Sequence, residues 1–162
     1  FIWYNKGMES EATTKKIPSV HKVLAHSYAV HFLFFLAGVC LDLIFNLKVF
    51  KSSVVVSLGF VLLAFGTFIV IWAQKTSRSL KKENITRETF FHGPYCYTRS
   101  PTHWGLFLLM LGFGMVINAF FVMVLSLVAF VFTKMTFLHK EEEILALKYG
   151  VPYLEYKKSV KL

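Results

Sequence analysis

Residues 53–73, SVVVSLGFVLLAFGTFIVIWA, contain no charged side chain. At about 1.5 Å per residue, a helix of this length matches the roughly 30 Å hydrocarbon core of a bilayer. Two further runs behave alike. Residues 28–47 hold one acid, Asp42, and one histidine, His31, and residues 104–133 are again uncharged. In a chain of 162 residues that is 56% hydrophobic and only 17% charged, these runs exceed what one small aqueous core can bury. Soluble domains are usually about 25% charged. Lipid is therefore the solvent for much of the chain. The length fits one domain.

The extent from 101 to 138 would reach about 55 Å as one helix, too long for a single crossing. Gly112, Gly114 and Asn118 mark the natural break. The pattern predicts a hairpin of two shorter spans, about 101–117 and 119–138, with a single kinked helix as the alternative. The expected fold is all-α: a polytopic helical membrane protein with about four spans (28–47, 53–73, 101–117 and 119–138) and short amphipathic C-terminal helices. Residues 1–27 form an N-terminal cytosolic segment, and 28–162 the membrane domain. The opening FIWYN also reads as the stub of a further helix, and the first apolar run starts too late for a cleavable signal peptide. Residues 75–92 read as a basic polar connector.

The net charge of +9 admits nucleic acid or anionic lipid as partner. The basic residues cluster between apolar runs, which favours lipid heads. Four lysines precede residue 28, two lie in 48–52, six basic residues in 75–99, none near 118 and six in 134–162. Cytoplasmic loops carry the excess of Lys and Arg, so four spans with both termini in the cytoplasm give a consistent count. Two cysteines, Cys40 and Cys96, are too few for a disulfide framework or a zinc site. His21, His26 and His31, spaced by five, share no helical face, which argues against a metal.

At the predicted cytoplasmic face two polar clusters stand out. Ser100-Pro101 is a good helix start, with Ser able to cap free amides and Pro tolerated at the first position. That helix would present its N-terminus, beside Arg99 and His103, to an anion. Interfacial anchoring by Tyr95 and Tyr97 is the plainer alternative. The second cluster, Glu141-Glu142-Glu143, opens a short helix striped with Ile144, Leu145 and Leu147 and closed by Gly150 and Pro152. It reads either as a solvated acidic face or as a grip for a cation. A basic helix start and an acidic cluster on one face together suit a zwitterion. Asp42 is costly in lipid and should face protein or the far interface.

GPYCYTRSPTHWG (93–105), an apolar hairpin, then EEEILALKYGVPYLEYKKSV (141–160) resembles the integral-membrane methyltransferases. These are the isoprenylcysteine carboxyl methyltransferases and their phospholipid-methyltransferase relatives. The resemblance spans about residues 80–161 and implies S-adenosylmethionine as methyl donor, a pocket capped by the C-terminal helix, and a lipophilic acceptor. It implies cofactor contacts from Tyr95, the 99–105 turn (Ser100, Pro101, His103, Gly105), Glu141 and Glu142, with Arg99 and His103 in catalytic positions. Tyr153 and Tyr156 match the family tail. A strand-like stretch at Thr89 and Phe90 falls where relatives touch the cofactor through backbone. Ser100 stands where the family has His, and His103 where it has Tyr. Those positions lie about one helical turn apart, so His103 can take over the hydrogen bonding. An Arg often found before the Glu pair is missing, leaving Lys134, His139 or Lys140 to meet a substrate carboxylate. His103 is the one nearby group whose ordinary pKa suits a base. Two other readings stand beside this one: a membrane reductase on a related scaffold using a nicotinamide cofactor, and a non-enzymatic small membrane protein.

Overall fold

The computed structural model describes residues 20–50, 52–79 and 86–160. Every element among them is helical. Helix α1 runs Val20–Phe45, α2 Ser53–Ser79, α3 Arg87–Phe90, α4 Pro101–Ile117, α5 Phe120–Tyr149 and α6 Val151–Ser159, with a 3-10 turn at Gly93–Cys96 between α3 and α4. The FIWYN stub, most of the N-terminal segment and part of the 75–92 connector lie outside the described residues. Among the described residues, three helices are long and apolar enough to cross a membrane: Val23–Phe45, Ser53–Arg78 and Phe120–Tyr149, with Pro101–Ile117 a shorter apolar helix.

The helix bounds differ from the sequence expectation in three places. Helix α1 begins at Val20 rather than 28, and α2 continues to Ser79, into the supposed connector. Helix α5 does not stop at 138 but carries the acidic run on without a break to Tyr149. Charge ends a membrane span but not a helix: Lys, Glu, Ala and Leu are all good helix formers. The helix stops where the backbone must turn, at Gly150 (φ 63°), whose N–H bonds to Ala146 O at 2.9 Å.

The α4–α5 hairpin turns at Asn118, which adopts the left-handed conformation (φ 55°, ψ 48°) that Asn tolerates better than most residues. The same side chain locks the neighbouring loop. Its Oδ1 accepts the N–H groups of Val49 and Phe50 at 3.1 and 3.0 Å, and its Nδ2 donates to Phe50 O at 2.6 Å. Lys48 donates to Ile117 O at 3.3 Å. Asp42 closes this end: its carboxylate accepts the N–H groups of Phe121 and Val122 at 3.1 and 2.9 Å. The acid thus caps α5 from another helix and sits at the positive end of its dipole. That is how an Asp in an apolar span is satisfied.

Helix α2 packs along α4, α1 along α5, and α4 against α5. The α2–α4 seam is built on glycine. A Cβ at Gly112 would stand 2.8 Å from Gly59 O and 2.7 Å from Leu63 N, and one at Gly66 would stand 2.8 Å from Gly105 O. With no hydrophobic drive between helices in lipid, such close backbone approach is a main source of association. Outer faces of α1 and α2 carry exposed Leu33, Leu43, Val61 and Phe65. The alternating directions bring the starts of α1 and α4 and the ends of α2 and α5 to one side. Gly112→Leu should therefore cost about 1–3 kcal/mol by overpacking, read as a lower Tm in detergent. Gly114→Ala, whose methyl would meet a side-chain atom, Met123 Cγ, at 2.7 Å rather than backbone, should cost less.

Candidate functional site

On the side where α4 starts and α5 ends, Pro101 sets the first turn of α4, and this fixes His103 one turn in, 2% exposed. Ahead of it the 93–100 turn delivers Arg99. Its Nη1 lies 2.6 Å from Glu142 Oε1 of α5. Lys157 of α6 reaches the other oxygen of Glu142 at 2.8 Å. Glu142 is thus held between two cations while nearly buried. Glu141 has a different environment. Its Oε1 is buried with no hydrogen bond among the described residues, and the imidazole Nε2 of His103 lies 3.7 Å away. A buried carboxylate oxygen without a donor is costly in a finished structure; it suits a place where a ligand supplies the N–H.

A second network lies beneath. Ser27 Oγ of α1 is 2.7 Å from His103 Nε2. His31 Nδ1, one turn on, donates to Ser27 O at 3.0 Å. The rings of His31 and His103 stack with centroids 6.0 Å apart. Thr133 of α5 stands 3.5 Å from His31 Nε2 but donates its own hydroxyl to Ala129 O at 2.7 Å. Ser27, His31 and Thr133 are all buried.

Helix α6 folds back over α3. Phe90, Tyr153, Tyr156 and Val160 form a buried cluster, with Phe90 in ring contact with Tyr149, Tyr153 and Tyr156. Tyr156 donates to Tyr95 O at 2.8 Å. Burial pushes the phenols of Tyr95, Tyr153 and Tyr156 up from the ordinary value near 10, so they act as neutral donors.

The sequence-derived candidates divide accordingly. Arg99, His103, Glu141 and Glu142 come together. Ser100 is buried and starts α4, but its side chain makes no capping bond; Thr98 Oγ1 accepts its N–H at 3.3 Å. The first amides of α4 thus lack that side-chain partner. Gly105 faces the α2 seam, where a Cβ would meet Val70 at 2.6 Å, because the helix needs close approach there. Thr89 and Phe90 are a helical turn, not strand-like: Thr89 closes a capping box with Thr86, and Phe90 packs under α6. Lys134 lies over the rings of Trp104 and Phe130, 5.5 and 5.7 Å from their centroids. His139 is exposed and makes no hydrogen bond or ion pair with Arg99, His103, Glu141 or Glu142 among the described residues. Ser27, His31 and Lys157 were not singled out as site residues by sequence reasoning. The one available signal was a histidine inside an apolar span.

The phospholipid methyltransferase family profile matches residues 54–151. The chain belongs to the phospholipid methyltransferase family. It is therefore a member of a methyltransferase family, built from membrane-capable helices. The match takes in Arg99, His103, Glu141 and Glu142, and leaves out α1 with Ser27 and His31, and nearly all of α6. No curated protein and no solved structure matches the chain.

If the aromatic cluster holds α6 and its Lys157 in place, Phe90→Ala should lower stability by about 3–5 kcal/mol. Tyr156→Phe, which removes one hydrogen bond, should cost about 0.5–1.5 kcal/mol. Thermal unfolding in detergent, followed by circular dichroism, measures both.

Proposed function

We propose that the protein is an S-adenosylmethionine-dependent methyltransferase of the membrane that methylates a lipophilic acceptor, with a phospholipid as first choice and a prenylcysteine-like carboxylate as second. Its cofactor pocket opens to the cytoplasm, as does each terminus. Family membership supports the reaction class. The observation that carries the cofactor assignment is the buried Glu141 oxygen without a donor, beside a carboxylate already shared by two cations. An amino acid end of a ligand matches that set. Its ammonium would supply Glu141 with the missing N–H, and its carboxylate would meet Arg99, Lys157 and the uncapped amides of α4. The side supports the orientation too. Among the described residues, ten of the eleven Lys and Arg lie at the start of α1, the end of α2, in 86–99, or from 134 on in α5 and α6, the segments that meet on that side, against Lys48 at the other end.

When bound, S-adenosylmethionine supplies an electrophilic methyl group on a sulfonium. The residues of the chain do the rest by position. Glu141, Glu142 and Arg99 bind and orient the amino acid end, and α6, pinned by Phe90 and Tyr156, covers it from water. Holding donor and acceptor in line and dry accounts for most of the acceleration such sites provide. Tyr95, whose carbonyl is held by Tyr156, fixes the turn that carries Arg99. Lys134, over the rings of Trp104 and Phe130, is placed for the acidic part of an acceptor.

Calorimetric titration of the detergent-solubilised protein with S-adenosylmethionine tests the pocket, and transfer of radiolabelled methyl to phosphatidylethanolamine vesicles tests the reaction. The expected outcome is saturable binding that Glu141→Ala weakens at least tenfold, with label in the lipid fraction. Absence of binding, or binding indifferent to Glu141→Ala, would refute the assignment.

A further inference from the structure

Among the described residues, His103 meets polar partners at Nε2. Nε2 faces Ser27 Oγ at 2.7 Å and the Glu141 carboxylate at 3.7 Å. A neutral imidazole carries its proton on one nitrogen and a lone pair on the other. A lone pair at Nε2 would point at Glu141 Oε1, which is repulsive whenever that carboxyl is ionised. A proton there satisfies Ser27 Oγ as acceptor and faces Glu141 favourably. The groups around the ring are Ser27 and His31 from α1 and Lys134 and Glu141 from α5, and Glu141 is the one acid among them. His31 is held in turn, since a backbone carbonyl can only accept and so requires the proton on His31 Nδ1. Its ring backs the His103 ring and limits rotation.

We propose that Ser27, on the helix the family match leaves out, is a positioning residue that holds His103 as the Nε2–H tautomer and so leaves Nδ1 as the proton acceptor of the reaction. The inference rests on the methyltransferase reading and deepens it: the acceptor is a nucleophile that arrives protonated, an ammonium headgroup, since a carboxylate needs no base. The headgroup nitrogen gives a proton to His103 Nδ1, and its lone pair forms the new N–C bond to the sulfonium methyl. The S–C bond breaks and its electron pair stays on sulfur as a neutral thioether. The proton leaves His103 for solvent. The hydroxyl of Ser27 does not touch the reacting atoms; it acts by fixing which nitrogen is free.

The test uses the full chain in detergent micelles with ¹⁵N-labelled histidine rings, His103 being identified by the resonances lost in His103→Gln. Wild type should show a protonated Nε2 and an unprotonated Nδ1, and Ser27→Ala should move both nitrogens towards a mixture of tautomers. A His103 protonated at Nδ1 in wild type overturns the proposal, as does a Ser27→Ala spectrum identical to wild type. In the kinetic arm Ser27→Ala should lower kcat for phosphatidylethanolamine about tenfold, within the range general bases contribute. Its Kd for S-adenosylmethionine should stay within twofold, and Ser27→Thr should restore kcat. An unchanged kcat in Ser27→Ala overturns it. If wild type transfers no methyl to any phospholipid, the phospholipid acceptor of the proposed function fails, while the ring spectra still decide the tautomer.

Discussion

The ion pair between Arg99 and Glu142 joins the turn ahead of α4 to the late turns of α5. Removing two charges from water at a membrane boundary costs several kcal/mol per ion, and only close geometry with further partners offsets it. Lys157 is such a partner, brought by α6. The pair therefore requires three things at once: α4 and α5 must be antiparallel, α5 must continue well past the apolar run, and α6 must fold back. Each has its own local cause, in Asn118, in the helix-forming 139–149 stretch, and in Gly150 followed by the Phe90 cluster.

The opposite end of the bundle makes that geometry dependable. Asp42 caps α5 from α1, and Asn118 ties the 46–50 loop to the hairpin turn. Between the two polar ends the helices meet through small residues: Gly59 and Gly66 against Gly112 and Gly105, and Gly38 against Val122, where a Cβ would stand 2.9 Å from the Val122 Cα. Close contact leaves little freedom to slide. A shift of one turn along α4 would carry His103 away from Ser27 and Arg99 away from Glu142 together. The structure thus ties fold and site through the same seam.

Much of this could be read from sequence because apolar runs and turn residues act locally. The 53–73 run, the break at Asn118 and the stop at Gly150 are all visible without tertiary knowledge, as is the grouping of Arg99 with the glutamates on one side. What escaped depends on contacts between distant segments. Gly105 sits within a motif, yet its use is set by Gly66 on another helix. Phe90 looked strand-like because aromatic residues favour strands, but three tyrosines on and beside α6 claim its ring. Ser27 carries no local signature and His31 only its place in an apolar span; their meaning appears only when α1, lying along α5, brings Ser27 within reach of His103. Ser100 reads as a cap by residue type, yet its side chain makes no such bond.

The most direct test of the account is a double-mutant cycle on stability in detergent, with Arg99→Ala, Glu142→Gln and the double variant. Contacting charges couple by about 0.5–3 kcal/mol. The account predicts a coupling of at least about 1 kcal/mol, the double variant being less destabilised than the two singles added together. Strict additivity, with coupling near zero, would mean that the turn and the helix end do not meet, and would contradict it.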